Sequence, residues 1–231
     1  MLKRIDGRGP EELRPIRIDA GVIEQAKGSA LVRMGKTTAI AAVYGPRSMF
    51  PKHLRLPNKA TLETVYAMVP FSTLERVKPG PSRRSIELCK VIRQTFENVI
   101  FLDEFPKAEI DIYIDILQAD AGTRTAAINA ASVALADAGV PMKDLVAAVA
   151  VGKIEDTYIL DITSKEEEIT ACDLPVAVLP RKGEVTLLQM DGDVTPEDVK
   201  RLLRLALKGC QEIYEKQKEA LRRRWIDADS K

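Results

Sequence analysis

Apolar residues recur along this chain at two spacings, and the switches between them outline its elements. In the first third they alternate or run continuously over residues 13–18, 30–34 and 38–44, which predicts strands, with Gly35-Lys36 as a tight hairpin turn. Residues 61–69 predict a further strand. Lys78-Pro79-Gly80-Pro81 then breaks the chain, and Ser82 caps a helix whose Ile86, Leu88, Val91, Ile92 and Phe96 share one face. Ile110, Ile112, Ile114 and Ile116 alternate through a strand at 110–117. A helix over 124–138 follows, closed by Gly139 and Pro141. In the second half, 145–153 with 157–160 and 174–179 with 184–190 predict two hairpins. Thr195-Pro196-Glu197-Asp198 opens the last helix, with Val199, Leu202, Leu203, Ala206, Cys210 and Ile213 as its buried stripe. Strands grouped between helices predict α+β layers rather than alternating βαβ units.

The helix over 124–138 differs from the others. It is built from Ala126, Ala127, Ala130, Ala131, Ala134 and Ala136 and carries little charge before Asp137, so it has no wet face and is expected at the centre of the molecule.

Composition narrows the function. The chain has 231 residues, 45% hydrophobic and 30% charged, with a net charge of +1. That is a globular balance with ample core. No apolar run reaches membrane-spanning length, and Met1-Leu2-Lys3-Arg4-Ile5-Asp6 does not read as a signal peptide. Any binding of polyanions must come from local clusters of arginine, because the global charge is near zero. Three scattered cysteines, Cys89, Cys172 and Cys210, suggest reduced thiols in the cytosol. His53 is the single histidine, in the basic loop Pro51-Lys52-His53-Leu54-Arg55-Leu56-Pro57, which argues against a histidine-based triad or zinc site.

Three features carry candidate chemistry. Gln118-Ala119-Asp120-Ala121-Gly122-Thr123-Arg124-Thr125 joins a strand to a helix N-terminus, where free N–H groups, the helix dipole and the Arg124 guanidinium can hold an anion. Arg83 and Arg84 stand in the first turn of another helix. They oppose its dipole there, which makes sense with an anion in front of them. Asp161, Glu166-Glu167-Glu168 and Asp173 form an acidic group, with Asp173 at the edge of a strand. Carboxylates near a phosphate cradle suit a hard cation such as Mg²⁺ or a proton donor for an alkoxide leaving group. Together they suit chemistry in which phosphate itself is the nucleophile.

The residues that carry this chemistry belong to a longer pattern: Arg4-Ile5-Asp6-Gly7-Arg8, Glu12-Leu13-Arg14-Pro15-Ile16, Ala42-Val43-Tyr44-Gly45-Pro46-Arg47, Pro70-Phe71-Ser72, Ser82-Arg83-Arg84-Ser85-Ile86-Glu87, the tract from Leu117 to Arg124, and Ala136-Asp137-Ala138-Gly139-Val140-Pro141-Met142. The pattern resembles the RNase PH family nearly end to end, and within it the catalytic ring subunits of the archaeal exosome. The resemblance implies the RNase PH fold, of the ribosomal-protein-S5 second-domain type with duplicated βαβα-like halves. Residues 1–231 would form one such domain, with halves of about 1–142 and 143–231. It implies phosphorolytic 3′-to-5′ degradation of single-stranded RNA to nucleoside diphosphates, reversible into tail addition. A hetero-hexameric ring with inactive RNase PH-like partners, RNA-binding cap proteins and a cytoplasmic location follow from the same likeness.

Residue by residue, the resemblance implies that Gly122, Thr123 and Arg124 bind inorganic phosphate. Arg83 and Arg84 would grip the RNA backbone. Lys52, His53, Arg55 and Lys59 would line the constriction where RNA enters. Asp173 and Glu167 would be the acids at the scissile bond, holding Mg²⁺ or protonating the departing oxygen. Two departures stand out. Where the family has Asp within Glu-Glu-Asp, this chain has Glu167, one methylene longer, and a slip of one position would make Glu166 or Glu168 the equivalent. The family's Arg-x-Arg-Tyr strand reads Glu63-Thr64-Val65-Tyr66. These departures leave open a weakened or inactive RNA-binding ring subunit; a homohexameric RNase PH that trims tRNA ends is a separate alternative, disfavoured by the archaeal-like Pro51-Lys52-His53-Leu54 loop.

Overall fold

The computed structural model describes residues 4–229, so the first three residues of the chain start, on which the reading of no signal peptide partly rests, lie outside the described residues. Strands β1 (Ile16–Ala20), β2 (Gly28–Met34), β3 (Thr37–Ser48), β4 (Thr61–Met68) and β5 (Ala108–Gln118) form the first sheet in the order β1-β2-β3-β5-β4. Helices α1 (Arg83–Glu97) and α2 (Thr123–Asp137) belong to the same half of the chain. The second half contributes β6 (Ala147–Ile154), β7 (Thr157–Leu160), the one-turn helix α3 (Ser164–Glu167), β8 (Cys172–Leu179), β9 (Glu184–Leu188), β10 (Asp191–Gly192) and the long helix α4 (Pro196–Asp229). Its sheet runs β10-β8-β6-β7, with β9 also on β8.

The alanine-rich helix lies at the centre, as its composition predicts. α2 packs against β2, β3 and β5 of one sheet and against β6 and β8 of the other, and residues 125–135 are all buried. Small side chains allow that double contact. A Cβ on Gly28 would come within 2.2 Å of the Ala138 nitrogen, so strand and helix meet there at backbone distance. Ile110, Ile112, Ile114 and Ile116 are buried together, each contributing roughly 1.5–3 kcal/mol by burial. One contiguous core joins both sheets.

Asn129 matches two polar groups inside this core. β7 covers β6 only between Val151 and Ile154. Beyond that limit Asn129 of α2 takes over: its Nδ2 donates to the Ala148 carbonyl at 2.8 Å and its Oδ1 accepts from the Ala148 N–H at 2.9 Å. The side chain thus does for β6 what a strand would do, since an unpaired buried peptide group costs roughly 1–3 kcal/mol.

The structure moves several expected boundaries. β1 begins at Ile16 rather than 13, because the chain up to Arg14 is held by contacts with the second half. β9 ends at Leu188, and Asp191 goes instead to a separate pairing with Asp173. α2 starts one residue earlier than expected, at Thr123. The layers are α+β, yet β4 and β5 run parallel with α1 between them, so one βαβ crossover exists after all. The three cysteines are free thiols. Among the described residues, no helix is long and apolar enough to cross a membrane.

Candidate active site

β5, α1, α2, α3, β8 and β10 all end or begin around one cleft of about 540 Å³. Arg84, Gly122, Thr123, Arg124, Glu167 and Asp173 line it. Residues singled out separately along the sequence therefore converge on one space.

The anion turn has the geometry its sequence suggests. After β5 the backbone turns through Ala121 (φ 54°) and Gly122 (φ 63°), both left-handed. A non-glycine residue there is strained by roughly 1–2 kcal/mol, and Thr37 holds the turn in place. Its hydroxyl donates to the Ala121 carbonyl at 2.7 Å and accepts from the Asp120 N–H at 3.0 Å. No side chain caps α2. The first bond of the helix runs from the Ala126 N–H to the Gly122 carbonyl, which leaves the N–H groups of Thr123, Arg124 and Thr125 outside its ladder. Arg124 Nε is buried without a hydrogen-bond partner, and the buried Tyr66 hydroxyl lies within reach of Thr123. Buried donors rarely stay unpaired unless a ligand completes them. The turn is thus furnished for an oxyanion.

Opposite charges face this turn. Ser82 caps α1 through a reciprocal pair with Ser85, which leaves Arg84 in the cleft, while Arg83 is exposed and does not line it. Arg124 Nη2 lies 3.7 Å from the Glu87 carboxylate, and Gln189 Nε2 donates to that same carboxylate at 3.3 Å. Strand pairing sets Asp173 directly across from Asp191. Like charges in that register repel. Burial first, then the negative charges of Glu167 and Asp191, push the Asp173 carboxyl up to about 6, with Arg124 and Arg84 pulling the other way. Four charged side chains from separate elements therefore act on this one carboxyl.

Among the three glutamates the structure makes a clear choice. Glu166 is buried and receives both Nε and Nη2 of Arg4 at 2.7 Å. Burial alone would raise its carboxyl, but the Arg4 and Thr163 hydrogen bonds outweigh it and hold it low. Glu168 is exposed and lies outside the cleft lining. Glu167 alone of the run enters the cleft. Among the described residues, no group of three or more His, Cys, Asp or Glu side chains forms a ready metal cage. A cation here would need substrate oxygens to complete its shell, which is the usual habit of Mg²⁺.

The basic loop lies elsewhere. Lys52–Leu54 form a single 3₁₀ turn between β3 and β4, with Lys52, His53 and Lys59 exposed. Arg55 is half-buried and partly occupied: its Nε donates to the Met49 carbonyl and its Nη2 to Ser48 Oγ, both at 2.8 Å. Register places this loop at the start of β5, where Ser48 and Thr61 pair with Ala108 and Glu109. The phosphate turn follows the other end of that 11-residue strand, roughly 30–35 Å away at ~3.3 Å per residue. Within one chain these residues do not reach the anion turn.

Sequence reasoning missed Asp191, Thr37, Tyr66, Gln189 and Glu87. Glu87 alone had a local signal, because it stands three residues after Arg84 on a helix and so shares its face. Asp191 gave no signal: Met190-Asp191-Gly192 reads as an ordinary turn until pairing brings it to Asp173.

Comparison with known proteins agrees with this geometry. Residues 12–141 match domain 1 of the 3′ exoribonuclease family, and residues 144–209 match domain 2. The exosome complex component Rrp41 of Thermococcus kodakarensis is 54% identical over 97% of this chain and 90% of its own length. That of Methanopyrus kandleri is 49% identical over 96% of this chain and 93% of its own. The crystal structure of rice (Oryza sativa) Rrp46 superposes with a TM-score of 0.86 at 27% identity, covering 95% of this chain and all of that one. With both domains matched and half of its residues shared with such relatives, the chain belongs to the RNase PH family of 3′ exoribonucleases.

Proposed function

We propose that this chain is the phosphorolytic subunit of an exosome-type ring, shortening single-stranded RNA from its 3′ end and releasing nucleoside diphosphates. The observation that carries this reading is the convergence of Arg84, Arg124, Glu167 and Asp191 around the raised carboxyl of Asp173, beside a helix N-terminus with unpartnered donors.

Inorganic phosphate binds the N–H groups and side chains at Gly122, Thr123 and Arg124. One of its oxygens attacks the phosphorus of the last phosphodiester in line with the 3′-oxygen. The new P–O bond forms as the old one breaks. Arg84 holds the phosphodiester and offsets its charge, while Arg83 meets the backbone further out. Asp173 gives its proton to the departing 3′-oxygen; a carboxyl near 6 is well matched to that task around neutrality. The released terminal nucleotide then carries two phosphates, and the reverse reaction adds tails from nucleoside diphosphates. Mg²⁺, when bound, would neutralise charge on the phosphate oxygens; Glu167 is the carboxylate expected to hold it while Asp173 carries its proton, and Asp173 would join it only once that proton has left. Lys52, His53, Arg55 and Lys59 guide the strand upstream. Partner subunits of RNase PH type complete the ring, RNA-binding proteins cap it, and the assembly works in the cytoplasm.

The reading is tested by incubating the assembled ring with RNA and Mg²⁺, with and without phosphate. Nucleoside diphosphates should form only when phosphate is present. Monophosphates released without phosphate would mean hydrolysis and end this proposal. Glu167→Gln keeps the length of the side chain and removes its charge. Phosphorolysis is expected to slow by ~10²-fold; an unchanged rate would place Glu167 outside the chemistry.

A further inference from the structure

The irregular segment before β1 carries two buried arginines, Arg4 and Arg14, whose carboxylate partners lie in the other half of the chain. Arg4 makes a two-pronged contact with Glu166, and its remaining N–H groups donate to the carbonyls of Leu160 at 2.7 Å and Asp161 at 2.9 Å. Arg14 donates from its backbone N–H and its Nε to one oxygen of Asp161, both at 2.9 Å, and from Nη2 to the other at 2.7 Å. Its last nitrogen, Nη1, donates to the Asp120 carbonyl at 2.6 Å. Asp161 is itself buried and left-handed, at φ 58°.

Two pieces of the cleft are joined by these contacts. Asp120 stands two residues before Gly122, and a Cβ on Gly122 would lie 3.1 Å from Arg14 Nη2. Glu166 is the neighbour of Glu167 and anchors the single turn of α3. Asp120 Oδ1 also accepts from the Ser164 N–H at 3.3 Å, a direct link between the phosphate turn and that helix. Buried ion pairs add little net stability over apolar side chains of equal size. Four buried charges spent on this junction need another reason, and fixing geometry is the one the contacts indicate.

We infer that Arg4 and Arg14 are positioning residues: Arg14 ties the phosphate turn to Asp161, Arg4 ties down the helix that carries Glu167, and together they set the distance between the bound phosphate and the acids. This rests on the phosphorolytic reading of the cleft. Neither arginine lines the cleft. Their effect passes through the backbone they hold.

The test uses paired substitutions in the full ring, so that no lone charge is left buried. Arg4→Met/Glu166→Gln should lower kcat by at least ~10-fold, with KM for phosphate within about two-fold of the parent. Arg14→Met/Asp161→Asn should raise KM for phosphate by at least ~10-fold, and calorimetric titration with inorganic phosphate alone should show the same weakening. Ring mass and melting report folding. Assembled rings of both variants with parental kcat, KM and phosphate affinity would overturn the inference. So would kinetic losses that only track the fraction of ring assembled. Thr37→Val guards against a variant that fails to assemble. It removes support from the same turn without touching an ion pair, and should also raise KM for phosphate; parental kinetics there would count against the inference. A parent ring that consumes no phosphate defeats the phosphorolytic reading itself, whereas the calorimetric arm still reports on the turn.

Discussion

Asp173→Asn is expected to lower phosphorolysis by at least ~10²-fold while making the protein more stable at neutral pH. The loss follows from the proton: an amide cannot supply one to the departing 3′-oxygen, and general acid catalysis typically contributes 10²–10⁴-fold. The gain follows from linkage. Burial and the charges of Glu167 and Asp191 raise this carboxyl in the folded state to about 6, above its value of 3.8 as a free side chain. A carboxyl raised on folding favours the fold below its unfolded pKa, and that contribution is lost as pH rises through about 6. Above that pH the parent holds a charge where the fold disfavours one, at a cost of ~1–3 kcal/mol. Asparagine removes it. Melting without divalent cations, at fixed ring concentration, should show the variant and parent close together near pH 4 and the variant higher by several degrees near pH 8, since ~1 kcal/mol moves Tm by about 2–4 °C in a chain of this size. A variant that is inactive and less stable at pH 8 would place Asp173 in the architecture of β8 instead of in the chemistry. Such a trade of stability for function is common at active sites.

Arg124→Met should lower kcat/KM for phosphate by ~10²–10³-fold, the scale on which a preorganised charged donor acts, about 2.7–4 kcal/mol. Folding should not suffer. The residue sits in the first turn of α2, where a cation opposes the helix dipole by ~0.3–1 kcal/mol, and methionine is as good a helix former. Arg124→Lys should restore little, because a point charge cannot present the planar fork that two phosphate oxygens accept. RNA binding should weaken far less, with the salt dependence of affinity changing by less than about 0.7, the share of a single RNA contact. Progress curves at varied phosphate, alongside RNA titrations at several salt concentrations, separate these effects. If KM for phosphate stayed at the parental value, Arg124 would be a partner for Glu87 and nothing more.

Much of the cleft was legible because its key features are local. A strand of alternating isoleucines, a turn containing glycine and a helix without a wet face are encoded within about thirty neighbouring residues. The turn's anion-binding capacity follows from helix geometry alone. Arg84 and Glu87 share a face for the same reason. The three glutamates were not legible in this way. They have one chemical identity, and which enters the cleft depends on Arg4, 162 residues from Glu166 in sequence. The displacement of β1 has the same origin. Its apolar pattern extends back to Leu13, but the hydrogen bonds of Arg14 to Asp161 hold the chain away from the sheet until Ile16.

What the chain determines by itself is its elements, the central place of α2 and the anion turn, because periodicity, propensity and helix-end chemistry act over a few residues. Only the tertiary structure decided that Glu167 and not its neighbours faces the cleft, that Asp191 stands against Asp173, and that the basic loop lies a strand's length from the anion turn. Those outcomes depend on burial and strand register between distant segments, and a charge gains its altered proton affinity only from the groups that folding brings beside it.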